Sequence, residues 1–160
     1  MTEELPHPFH PKMSYAFTIG IKLSAPRYLS PSGTGQTRAV IYAESGTVEG
    51  RINGKVIPMS GGDWSTVRAD DVLDFDARYM LELDDGTVVY LQNRGFRWAP
   101  PEAMQAMREQ KEIPHSSYYM RVAPRFEVAA GPHDWLNRYV FVGVAEKVPF
   151  ANRIHYFQVL

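Results

Sequence analysis

Two carboxylates in this chain stand where acid–base chemistry is open to them. Asp63 precedes Trp64 and follows Gly61-Gly62. A carboxylate against an aromatic wall loses hydration, its pKa rises, and it serves as acid or base near neutrality. Glu127 is the second, close along the chain to Arg121 and Arg125. Tyr119 and Arg121 share one strand face by period two, and a phenol beside a guanidinium can stabilise a developing oxyanion. Asp63, Glu127, Tyr119 and Arg121 form the candidate catalytic set.

Trp64, Arg78, Tyr79, Trp135 and Asn137 are the candidates for gripping a substrate. Arg78 and Tyr79 are neighbours in an alternating segment, so they point to opposite faces and one can face inward. A buried arginine requires an anion, from a side chain or from a substrate. Trp135 and Asn137 share a face if their segment is extended, giving an indole platform and an orienting amide. The pocket reading expects at least two of Trp64, Tyr79, Tyr119 and Trp135 to line one cavity. Each candidate has a purely structural alternative. Asp63 can close a turn, Arg78 can pair outside with Asp76 or Asp85, Arg125 can bridge Glu127, and Trp135 can plug a barrel end.

These residues need strands to position them. Tyr15, Phe17, Ile19, Ile21 and Leu23 alternate with smaller or polar residues, the pattern of a half-buried strand. Further strands are read at 37–44, 46–52, 56–59, 65–69, 72–83, 87–92, 118–122, 126–129, 136–148 and 154–160. Asn53-Gly54 reads as a two-residue hairpin turn, because both residues tolerate positive φ. Asp84-Asp85-Gly86 marks a second corner, and 26–37 is a turn-rich loop. Pro101 to Lys111 is the one helix: proline suits its first position, and Ala103, Met104, Ala106 and Met107 form an apolar stripe. Strands so frequent predict an all-β domain, a single antiparallel β-barrel of calycin or lipocalin type with about eight to ten strands. Residues 1–13, broken by Pro6, Pro8 and Pro11, form an irregular arm, and 14–160 the barrel.

The chain has 160 residues, 44% hydrophobic and 22% charged, with net charge −1. That is one domain with a sizeable core. A near-neutral chain lacks the field to hold a polyanion, so nucleic acid is not an expected partner. No apolar run approaches the roughly 20 residues that cross a bilayer. The start does not read as a signal peptide, and zero cysteines exclude disulfides and thiolate chemistry. A cytoplasmic setting is the expectation. The five histidines are scattered, and no phosphate loop or dinucleotide fingerprint is present, so neither a metal nor a cofactor is expected.

Several of these pieces also carry a resemblance: Gly50 to Gly54, Pro58, Gly61 to Trp64, Asp70, Arg78-Tyr79, Asp85-Gly86, Gly95, Tyr118 to Arg121, Pro124 to Glu127 and Trp135 to Asn137. In combination they resemble the bacterial and fungal family named for domain of unknown function 3237, from about Tyr15 to the C-terminus. The resemblance implies a compact β-barrel. One departure is Asp70-Asp71, where the family usually has Asp-Gly.

The expected function is small-molecule binding, by a metal-free acid–base enzyme of isomerase, cyclase or lyase type acting on a small, partly apolar organic substrate. The alternative is a non-catalytic, lipocalin-like binder. A homodimer through exposed aromatics is the expected protein partnership, if any.

Overall fold

The computed structural model describes residues 7–29 and 33–160. Ten strands form one antiparallel sheet that closes on itself: β1 (Met13–Leu23), β2 (Arg27–Leu29), β3 (Thr37–Gly50), β4 (Gly54–Val56), β5 (Gly62–Val67), β6 (Leu73–Leu83), β7 (Val88–Trp98), β8 (Tyr119–Val128), β9 (Phe141–Val148) and β10 (Ala151–Val159). The order β1-β10-β9-β8-β7-β6 continues through β4 and β5 to β3, and β3 returns to β1. β4 and β5 both lie between β3 and β6, one following the other, and share a single place in the wall. The expected barrel is therefore present, with eight staves, two of them split: β4 with β5, and β1 with β2, which pairs with β3 beyond the end of β1. A closed sheet leaves few edges to protect.

Residues 7–12 have no regular structure, and β1 begins at Met13. The first six residues of the predicted arm, and 30–32 of the predicted loop, lie outside the described residues. Segments 37–44 and 46–52 merge into one long strand, β3, which ends at Gly50. Asn53-Gly54 does not form the expected two-residue turn. Gly50 takes the positive φ instead, at 141°, and Asn53 bonds its own side chain to the N–H and C=O of Gly50. Gly54 is required by close approach: a Cβ there would meet Glu82 O at 2.3 Å. Asp71 keeps its turn at φ 62° without a glycine.

One end of the barrel is filled by aromatic rings. Phe17, Phe126, Phe141 and Tyr156 pack at centroid separations of 5.2–5.6 Å, mostly edge to face. Each such pair is worth about 0.5–1.5 kcal/mol beyond its burial. The other end is crossed by helix α1 (Pro101–Arg108), which starts on proline and buries Met104 and Met107. Gln110, just past the helix, accepts hydrogen bonds from Phe150 N and Lys147 Nζ, tying α1 to the β9–β10 hairpin. No helix among the described residues is long and apolar enough to cross a membrane.

Candidate functional site

A chamber of about 50 Å³ lies inside the barrel between the aromatic plug and α1. Most of its wall is apolar, from Ile21, Leu23, Ile41, Phe75, Met120 and Ile154. Four polar side chains interrupt that wall: Asp63, Tyr79, Asn93 and Asn152. Strand pairing explains why Asp63 is among them. It stands opposite Ile41 on β3 and Ala77 on β6, and both of those line the chamber. Cross-strand partners share a face, so Asp63 points inward.

The Gly61-Gly62 pair permits this placement by being small, not by being flexible. A Cβ on Gly61 would meet Arg78 O at 1.8 Å, and one on Gly62 would meet Ile41 O at 2.4 Å. The wall closes tightly there, at the break between β4 and β5. Beyond that point the β5–β6 pairing passes directly from Asp63–Ala77 to Thr66–Asp74. In this gap the N–H of Asp76 donates to Asp63 Oδ1 at 2.9 Å.

Burial is the main force on Asp63, and it pushes the carboxyl up to about 6. The Asp76 N–H opposes the shift, the Asp76 charge adds to it, and the Arg97 cation opposes it. The Tyr79 phenol is raised by burial and so stays protonated. Its hydroxyl lies near that of Tyr156 yet has no hydrogen-bond partner. Tyr156 instead accepts from Asn93 Nδ2 at 2.9 Å, which leaves Asn93 Oδ1 without a partner. Asn152 Oδ1 is likewise unpaired. Buried polar atoms are nearly always satisfied, and three such atoms on one chamber are free to bond a group placed there.

The chamber adjoins a vestibule of about 320 Å³ under α1, and Leu23, Ile41, Phe75 and Asn152 line both. Ligand pockets span about 300–1,000 Å³. The vestibule adds Tyr28, Met107, Phe150 and three cationic side chains, Arg97, Arg108 and Lys147. Burial, and next the Arg97 charge, lower Lys147 to about 8. Its ammonium donates to Val148 O at 2.6 Å, to Ala151 O and to Gln110 Oε1.

Of the nine residues singled out from sequence, the chamber contains two, Asp63 and Tyr79. Trp64 follows Asp63 and so faces outward, 38% exposed and edge-on to Tyr42. Arg78 is outside too, 3.4 Å from Asp76, the structural alternative named above. Tyr119 is 38% exposed, stacked on Trp98, with the Arg121 guanidinium 5.2 Å from its ring. That pair forms on the outer wall, away from the chamber. Glu127 and Asn137 line a separate surface groove with Arg125 and Arg138. The segment 134–137 is a turn of 3-10 helix, not extended strand, so Trp135 and Asn137 share no strand face. Trp135 packs beside Phe141 with the Arg51 guanidinium 3.8 Å from its ring. Asn137 bonds both the N–H and the C=O of Val128. Of the four aromatics expected to converge, only Tyr79 lines the chamber.

The other polar residues of the chamber and vestibule escaped the sequence reading, although a signal existed. Val89 and Leu91 mark the inward face of β7, and period two carries it on to Asn93 and Arg97. Phe141 and Ala145 do the same for Lys147, and Ile154 and Tyr156 for Asn152. Among the described residues no three His, Asp or Glu side chains gather as a metal site.

Against known proteins, residues 11–159 match the family described as Protein of unknown function (DUF3237). The chain belongs to this family. A UPF0311 protein of Rhodopseudomonas palustris is 34% identical over 134 residues, covering 83% of this chain and 86% of the relative. A UPF0311 protein of Clostridium acetobutylicum is 33% identical over 141 residues, covering 86% of this chain and 89% of the relative. Among solved structures, a conserved protein of unknown function from Rhodopseudomonas palustris superposes with TM-score 0.88 at 31% identity, over 96% of this chain and all of the other. An enzyme from Penicillium herquei superposes with TM-score 0.72 at 21% identity, over 98% of this chain and 100% of the other, a likeness of fold alone. The same barrel fold thus occurs in bacterial and fungal proteins.

Proposed function

We propose that this barrel is an acid–base enzyme acting on a small, partly apolar organic molecule, with Asp63 moving the proton. The supporting observation is the Asp63 carboxylate inside an apolar chamber, facing the same space as the unpaired Tyr79 hydroxyl and the unpaired amide oxygens of Asn93 and Asn152. A base works best when its pKa lies near the working pH, and burial brings Asp63 to about 6.

The chemistry follows from the groups. Ionised Asp63 takes a proton from an acidic C–H or O–H of the substrate. The charge left behind collects on a substrate oxygen, and the Tyr79 O–H donates to it. Asn93 Oδ1 and Asn152 Oδ1 accept from a substrate hydroxyl and fix its orientation. Protonated Asp63 then returns the proton to a different substrate atom. Atoms balance for an isomerisation or a ring closure. The Penicillium herquei protein, described as an enzyme, gives a precedent for catalysis on this fold.

The test is deuterium uptake. A panel of small aryl ketones, enones and phenols is screened for binding by ligand-observed NMR, and the bound compounds are incubated with protein in D₂O. Acid–base catalysis exchanges a carbon-bound proton for deuterium or converts the compound, and Asp63→Asn abolishes both. Ligands that bind and remain unchanged in wild type and variant alike would point to the lipocalin-like binder instead.

A further inference from the structure

We propose that Arg97 anchors a carboxylate at the inner edge of the vestibule, so that the ligand is a small organic acid whose apolar body enters the chamber. The proposal rests on the acid–base reading only for where the reacting atoms lie. The anchor itself is argued from Arg97 and its surroundings.

Arg97 lies on the inward face of β7, in the vestibule wall and in the adjoining cleft under Met104. Its Nε is buried without a hydrogen-bond partner. Among the described residues no carboxylate lies within ion-pair distance of it. Arg94, three residues earlier and facing outward, shows the ordinary arrangement, with Asp74 at 3.7 Å and Asp76 at 3.6 Å. A buried guanidinium lacking an anion is costly, and the cost falls when a ligand supplies the charge.

The neighbouring groups do not supply it. Arg108 contributes another cation at the rim. Lys147 is held by the neutral oxygens of Val148, Ala151 and Gln110, which leave its charge uncompensated. Asp63 senses Arg97 electrostatically but lines the inner chamber, a compartment that Arg97 does not line. The vestibule lining thus holds three cations and no carboxylate, and the one acidic residue of the adjoining cleft, Asp71, is exposed on its turn and forms no ion pair with Arg97.

The planar fork of a guanidinium matches the two oxygens of a carboxylate. From there Leu23, Ile41, Phe75 and Asn152, shared by both compartments, lead inward to Asp63. That route is mostly apolar. It suits an aryl or short alkyl body on the acid and gives a polar body few partners.

The experiment compares benzoate with benzamide, its neutral isostere, on the full chain by calorimetry at low salt and pH 7.5. Wild type should bind benzoate at least about tenfold more tightly, the size a charge-assisted hydrogen bond supports. Arg97→Met should erase that preference, and Arg97→Lys should keep only part of it. In wild type, the Arg97 Nε–H resonance should shift with benzoate and not with benzamide, a readout that stands even if Arg97→Met fails to fold. Equal binding of the two compounds, an intact preference in folded Arg97→Met, or an unmoved Nε–H resonance would overturn the proposal. Inorganic phosphate displacing benzoate at equal concentration would also overturn it, in favour of an unselective anion site. Selective benzoate binding without deuterium uptake from any screened compound would keep the anchor and remove the acid–base reading.

Discussion

The carboxylate of Asp63 is bonded to the backbone N–H of Asp76, its Oδ1 accepting at 2.9 Å across the gap in the β5–β6 pairing. The bond fixes the carboxylate against the wall that carries it. Asp63→Asn preserves an oxygen for this bond while removing the charge. Turnover of any substrate found should fall by roughly 10²-fold or more, the range for a lost general base. Near-UV circular dichroism should be unchanged. A variant that unfolds would make Asp63 a structural residue, and one that turns over normally would remove it from catalysis.

The same substitution has a pH signature in stability. The carboxyl rises from 3.8 to about 6 on folding, chiefly through burial. Between those values the folded protein holds a proton that the unfolded chain has released. Stability due to this group is therefore greatest below pH 4, falls as pH rises to about 6, and is flat above. Asp63→Asn escapes the loss. Its melting temperature should equal or exceed that of wild type at pH 8, by the equivalent of up to about 3 kcal/mol, with the gap closing at pH 4. Thermal scans across pH check this.

The arginine on the inward wall is Arg97, a residue the sequence reading did not single out, and not Arg78. Arg78 lies outside with Asp76, half in solvent. Arg78→Met should leave benzoate affinity within about twofold and stability within about 0.5 kcal/mol, as for other exposed pairs. Titration and denaturant melts measure the two effects separately.

Asn137 carries a structural load. Its side chain bonds Val128 N and Val128 O at 3.0 and 2.9 Å, holding the 134–137 turn onto the end of β8. Asn137→Ala should cost about 1–2 kcal/mol of stability, given two bonds of roughly 1 kcal/mol each. Ligand affinity at the chamber should be unchanged. Chemical denaturation beside ligand titration separates these outcomes.

The wall of this protein was legible in the sequence, and most of its interior was not. Alternation in β1 and the apolar stripe of α1 report burial directly, because water drives both. Asp63 and Tyr79 were found because each adjoins a conspicuous neighbour, yet those neighbours, Trp64 and Arg78, face the other way. Adjacent residues in a strand never share a face, so clusters read along the chain mix inside with outside. The polar interior is gathered instead across strands: Asp63 from β5, Tyr79 from β6, Asn93 and Arg97 from β7, Lys147 from β9 and Asn152 from β10. Closure brings them together, and no local window contains it. The 134–137 segment was misread for a related reason. Its composition allows a strand, and the bonds to Val128 choose a tight turn.

The aromatic plug has a bearing on molecular traffic. With Phe17, Phe126, Phe141 and Tyr156 filling one end, the vestibule beneath α1 is, among the described residues, the side from which the proposed ligand would have to come and go. Arrivals and departures take turns at a single door. Under the proposed chemistry, a product that keeps the anionic group of its precursor would be held at Arg97 on the way out, where it would obstruct the next arrival.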